Sequence, residues 1–195
     1  MTGVVNPQNA IMGPIGMWYG AFGVTEPAQT NAALVADPGG GWSFAGGTQG
    51  GITWEIDHTI TDITFDQVID PVDGRVTGRA GMVAFNGAEP TLALLAMSLN
   101  NLGTTTVGTG ITTYTPGQPN AATPLSFNAL LLDGWAPKLS SGAAARRRVI
   151  FRKMLNQPKM TTNGDPTKQV VWALNVKMYY VSASIDPWIS MDQTA

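Results

Sequence analysis

The stretch Ile52-Thr53-Trp54-Glu55-Ile56-Asp57-His58-Thr59-Ile60 decides the fold class. Its even positions hold Ile, Trp, Ile, His and Ile, and its odd positions hold Thr, Glu, Asp and Thr. A strand sends successive side chains to opposite faces, so this period of two specifies a half-buried strand. At Asp62 the phase slips, because Ile63 and Phe65 continue on the other parity. One extra residue in a strand is what a β-bulge supplies, which places a bend near Thr61 and Asp62.

Past the turn residues Asp70-Pro71 and Asp73-Gly74, a second strand is expected over 75–85 with Val76, Ala80 and Met82 on one face. Glu89-Pro90 then opens the one expected helix, about 90–101, with Pro at its first position and Leu92, Leu95, Ala96 and Leu99 in one stripe. Leu94 and Met97 lie off that stripe, so burial on more than one side is expected. Further strands are expected over 127–135, 147–154 and 169–181, with short strand character around 111–114. The strand over 169–181 sets Val170, Trp172, Leu174, Val176, Met178 and Tyr180 on one face, and at about 3.3 Å per residue it would be about 40 Å long.

Upstream, Met17, Trp18, Tyr19 and Phe22 suit a first strand, and 25–41, ending in Pro38 and three glycines, reads as an extended loop. The expected fold is mainly β: an antiparallel β-sandwich or barrel with one flanking α-helix, an extended loop and terminal arms. The 195 residues suit one domain, with an arm, strand and loop over 1–41, a β core over 42–181 and a C-terminal arm over 182–195.

Only 12% of the residues are charged, about half the ~25% of ordinary soluble domains. So little ionic covering suggests that uncharged surface is hidden against other copies of the chain. The first ten residues carry no base and no apolar run, unlike a secretory signal, and the longest apolar run, 92–97, is far below the roughly 20 residues that span a bilayer. A soluble chain made inside the cell, with no membrane partner, is expected.

Catalytic chemistry finds little to work with. The absence of Cys excludes disulfides and thiolate sites, and the single His, His58, lies in the apolar register of a strand, where a packed structural role is expected. No nucleophile elbow, Walker pattern or dinucleotide fingerprint is present, and the glycines at 39–41 and 46–51 read as turns. Asp62, Asp66, Asp70 and Asp73 have helical spacing, but Ile63, Thr64, Phe65, Val68 and Ile69 between them prefer strands, where such spacing does not converge on a metal. Trp42, Trp54, Trp135 and Trp172 could stack on sugars, although packing is the commoner use. No enzyme activity, metal or cofactor is expected.

Charge is sorted along the chain. Glu55, Asp57, Asp62, Asp66, Asp70 and Asp73 form an acidic block free of bases, and Arg146, Arg147, Arg148, Arg152 and Lys153 form a basic block free of acids. These blocks could be solvated faces paired within the monomer. A net charge of -2 and one short basic run are weak grounds for nucleic-acid binding. The remaining reading pairs the blocks between copies, with Arg146, Arg147, Arg148, Arg152, Lys153, Asp62, Asp66, Asp70 and Asp73 as inter-subunit contact candidates. Exposed ion pairs contribute only about 0–1 kcal/mol each, so they would set register while apolar area supplies adhesion.

Across 41–101 the chain resembles the major tail tube proteins of long, non-contractile-tailed bacteriophages. The resemblance runs through Trp42-Ser43-Phe44-Ala45-Gly46-Gly47-Thr48, Gly50-Gly51-Ile52-Thr53-Trp54-Glu55 and Asp66-Gln67-Val68-Ile69-Asp70-Pro71-Val72, and continues over 78–85 into the helix after Glu89-Pro90. It covers about a third of the chain closely. It implies a sandwich with one flanking helix, six copies in a ring, and rings stacked into a hollow tube in the virion tail. DNA would pass through the lumen without specific binding, and tape measure and tail terminator or tip proteins would be further partners. A loop reaching a neighbouring subunit is also implied, with 25–41 or the acidic 62–73 as candidates. The Arg146-Arg147-Arg148 run and the Thr/Gly insert over 102–123 depart from the family pattern. A capsid decoration protein, a tail terminator or a carbohydrate-binding sandwich are the alternatives. The basic block is expected to face protein and not the lumen, and its reversal to Glu to leave the fold intact.

Overall fold

The computed structural model describes residues 13–27, 37–117, 120, 122–137, 144–157, 162, 167 and 169–193. Among the described residues, ten strands and one helix follow in the order β1 (Gly16–Ala21), β2 (Ser43–Phe44), β3 (Thr48–Ile63), β4 (Asp73–Gly87), α1 (Leu92–Ser98), β5 (Gly103–Gly108), β6 (Ile111–Pro116), β7 (Asn128–Ala136), β8 (Ala145–Asn156), β9 (Trp172–Met178) and β10 (Trp188–Asp192). Mainly antiparallel β structure with one helix agrees with the sequence reading.

β8 explains how one sheet becomes two layers. One of its edges pairs with β7, while its other edge pairs with β10 over Arg147 to Phe151 and with β9 over Met154 to Asn156. The chain order across the sheet is β2-β1-β7-β8-β9-β4-β3. Met17, Leu130, Leu132, Val149 and Phe151 from one wing meet Val83, Phe85, Leu174 and Val176 from the other, with Leu94 and Met97 of α1 in the same core. A second, smaller cluster of Trp18, Trp42, Ala129, Leu131 and Ile150 lies on the opposite face of β1, β7 and β8. These central strands are buried on both faces, which is why 127–135 reads as a nearly continuous apolar run.

Several expectations are corrected. The extra residue near the predicted bend is Thr77 of β4: Thr59 pairs with Gly78 and Ile60 with Val76, so β3 runs on to Ile63 and its partner carries the bulge. The glycines Gly50 and Gly51, with φ of 80° and 86°, sit within β3 at a second register shift. The buried face of β4 is Gly81, Val83, Phe85 and Gly87, whereas Val76, Ala80 and Met82 are exposed. In α1 the fully buried residues are Leu94, Met97 and Ser98, and the predicted stripe is only half-buried. Asn100 and Asn156 fix that rotation: the Asn156 amide N–H donates to Asn100 Oδ1 (2.7 Å) and Asn156 Nδ2 donates to the Ser98 carbonyl (2.5 Å). β9 has seven residues, not the length predicted for 169–181. The Tyr179 amide still donates to the Lys153 carbonyl of β8 (2.9 Å) in the same register, and Tyr180 beyond it is exposed. Part of the predicted C-terminal arm is β10 in the main sheet, and the insert after α1 is a separate β5–β6 hairpin. Most of the predicted 25–41 loop, residues 28–36, lies outside the described residues.

Candidate functional site

The basic block is largely committed within the chain. Arg146 and Arg148 alternate along β8 and therefore share a face, and Arg148 stands directly opposite Asp133 of β7. Asp133 is completely buried, and both guanidinium groups converge on its carboxylate: Arg148 Nη2 donates to Oδ2 at 2.9 Å, Arg146 Nε to Oδ1 at 3.1 Å, and Arg146 Nη2 to Oδ2. The two arginines are themselves buried. Taking charges out of water is costly unless geometry and hydrogen bonds compensate, and the shared carboxylate supplies that compensation. This places Arg146 and Arg148 inside the fold, away from any surface that another copy could reach. Sequence reasoning missed Asp133, although an acid at an interior position of the apolar run Ala129-Leu130-Leu131-Leu132-Asp133-Gly134-Trp135 was the available signal.

Arg147 points to the other face and makes a bidentate cross-strand pair with Asp192 of β10, Nε to Oδ1 at 2.6 Å and Nη2 to Oδ2 at 2.7 Å. The hydrogen bond from Arg147 holds the Asp192 carboxyl below its ordinary value, and the same bond raises the guanidinium. Both side chains are over a third exposed, so solvent screening limits the pair to about 0–1 kcal/mol. A depressed carboxyl pKa gives stability that is fully present above the unfolded value, about 3.9, and is lost as pH falls through the folded value. Asp192→Asn is therefore expected to lower stability slightly at neutral pH. In urea titrations the difference from wild type should vanish in acid.

Arg152 donates to Glu26, Nε to Oε1 at 2.5 Å and Nη2 to Oε2 at 3.0 Å, a hydrogen bond that raises its pKa. Lys153 stacks over the rings of Phe127 (4.5 Å) and Phe22 (5.4 Å) and makes no ion pair among the described residues. The five bases are thus not one patch.

The acidic candidates are all in one place. β9 pairs with β4 only over Met82 to Gly87, so from the Ile56–Gly81 pair outward β3 and β4 continue as a two-stranded ribbon with no third strand among the described residues. Asp62, Asp66, Asp70 and Asp73 sit on this ribbon and its tip, exposed and without ion pairs among the described residues. The ribbon is also apolar. Ile60 and Val76 are cross-strand partners and both are more than 60% exposed, Phe65, Val68 and Val72 are exposed, and Ile69 at the tip is fully so. The whole outer edge of β3, 16 residues long, pairs with nothing among the described residues.

His58, predicted to be packed, is exposed on this ribbon. Its apolar register leads outward because the ribbon overruns the layer that would cover it. Trp54 bridges the two regimes: part exposed, it reaches back to Phe151 (6.3 Å, edge-on) and Trp188 (6.2 Å). Trp42 and Trp172 are buried. Among the described residues, no three His, Asp or Glu are grouped to hold a metal ion, and no helix is long and apolar enough to cross a membrane.

No protein-family model matches the chain, and no curated protein matches it. Among solved structures, the chain is similar to a crystal structure of Hcp protein, with 11% sequence identity and a TM-score of 0.32 over 91% of this chain and 99% of that one.

Proposed function

We propose that this chain is the structural subunit of a phage tail tube, closing with other copies into hexameric rings that stack around a DNA channel in the virion. The observation that carries this reading is the β3–β4 ribbon, whose apolar side chains, with the 16-residue outer edge of β3, are uncovered among the described residues. A two-stranded ribbon is marginal in water without further packing. A long unpaired edge is a template for another strand, which soluble monomers normally blunt. Partner copies that cover the ribbon remove both liabilities at once.

In this reading strand addition and buried apolar area hold the copies together, while the ribbon's acids select orientation. The arginine arrangement also suits a DNA channel. With Arg146 and Arg148 buried and Arg147 and Arg152 paired inside the chain, these four arginines would not hold phosphates at a lumen wall. Tape measure and terminator or tip proteins would close the two ends of such a tube.

The pair Ile60→Asp and Val76→Asp places two carboxylates opposite each other on the exposed ribbon face without touching the core. In sedimentation velocity, wild type should shift to large species as concentration rises, and the double variant should stay monomeric with an unchanged circular dichroism spectrum. A double variant that assembles like wild type contradicts the proposal.

A further inference from the structure

The tip of the ribbon and a cavity on the opposite wing are complementary. The cavity, about 200 Å³, lies on the second face of β1, β7 and β8, with buried Trp42 and Ile150 inside and half-exposed Phe22 and Ile185 at its mouth. Its lining is mainly apolar, and its rim carries the Arg152–Glu26 pair. The nearby acid Asp186 is directed to Arg79 at 3.6 Å, and the Lys153 ammonium, 5.4 Å from the ring centroid of Phe22 and outside the cavity lining, is a neighbouring cation without a carboxylate partner among the described residues. The tip presents the matching pattern: Val68 and Ile69, both exposed, flanked by Asp66 and Asp70. The turns Val68 N–H to the Phe65 carbonyl (3.0 Å) and Val72 N–H to the Ile63 carbonyl (2.9 Å) hold the tip in a defined shape. Four strands separate β3 from β1 across the sheet, and Ile69 is fully exposed in its own chain.

We infer that the Val68-Ile69 tip of one copy seats in the Phe22/Trp42/Ile185 cavity of a second copy, with Asp66 or Asp70 meeting Lys153. The inference rests on the proposal that copies associate, and it names the receptor for the ribbon. It also gives the acidic block a basic counterpart, Lys153, in place of the buried arginines. Tip and cavity are different surfaces, so the contact is head-to-tail and propagates from copy to copy until rotation closes it.

The test uses the absence of Cys in the natural chain. Full-length Ile69→Cys and Ile185→Cys variants, both at exposed positions, are mixed at assembling concentration and mildly oxidised. A disulfide needs Cα atoms about 4.4–6.8 Å apart, so a linked dimer in the mixture and a ladder from the double variant on non-reducing gels are the expected result. Neither single variant should cross-link alone. Adding Lys153→Glu should lower the linked yield by up to about fivefold, the scale of a partly exposed ion pair. Assembly in sedimentation velocity without the mixed cross-link, or cross-linking of Ile69→Cys with itself, overturns the seat while leaving association standing. A chain that stays monomeric at every concentration overturns both.

Discussion

Asp133→Ala is expected to cost about 3–5 kcal/mol of stability, because it removes the carboxylate on which two buried guanidinium groups converge. A domain of this size is stable by only about 5–15 kcal/mol, so the denaturant midpoint should fall by about a fifth or more of its wild-type value. Asp133 is fully buried and Arg146 and Arg148 nearly so, which denies the two cations the solvent that would otherwise screen them. A second variant separates the loss of a counter-charge from the loss of packing. Replacing all three polar groups, Asp133→Leu with Arg146→Met and Arg148→Met, keeps comparable volume and removes the buried charges together, so it should be far milder than Asp133→Ala alone. Urea unfolding of both proteins decides the matter, and equal losses would mean that packing, not charge, governs the site. The same geometry reverses an expectation drawn from the sequence: changing Arg146, Arg147 and Arg148 to Glu would bury acids beside Asp133 and should unfold the chain.

Phe151→Ala should lose about 3–5 kcal/mol, the range for a fully buried aromatic replaced by a methyl. Phe151 is completely buried in β8, stands in register with Leu130 of β7 and Trp188 of β10, and meets Trp54 of β3 edge-on. It therefore touches both wings at the point where the sheet folds over, and the cavity left behind cannot collapse without moving strands on both sides. Part of the loss should be shared with Trp54. In a double-mutant cycle with Trp54→Ala, the coupling energy should fall near 0.5–1.5 kcal/mol, as for other aromatic pairs. Additive effects would show that the Trp54 ring packs independently of Phe151.

The β class was legible because alternation survives in sequence wherever a strand has two unlike faces. Trp172, Leu174, Val176 and Met178 show this, since each alternate residue is buried as the period requires. Periodicity carries no record of what covers a face or where pairing stops. Over 52–60 of β3 the even-numbered residues keep one apolar register, yet Ile52 and Ile56 are half-buried while His58 and Ile60 are exposed, because the covering layer ends before the strand does. In β4 the buried positions include Gly81 and Gly87, which give no apolar signal. Met178 and Leu94 fill the space at those two glycines, where a Cβ would come within 2.7 and 2.6 Å of their side chains.

The charge blocks were visible as composition along the chain, but their use depends on neighbours across strands. Arg147 and Asp192 are 45 residues apart, and Arg152 and Glu26 are 126 apart. No spacing rule connects such residues. What separates the two blocks physically is burial: β8 is largely covered and draws Arg146 and Arg148 inward, whereas the ribbon is covered on neither face among the described residues and leaves its aspartates in solvent.

Electron microscopy of the purified chain at high concentration tests the central claim most directly. The account predicts long hollow filaments with a regular ring repeat, formed without other proteins, and density that places Arg146 and Arg148 within each subunit, away from the lumen. Separate particles of single-chain size at every concentration would contradict it.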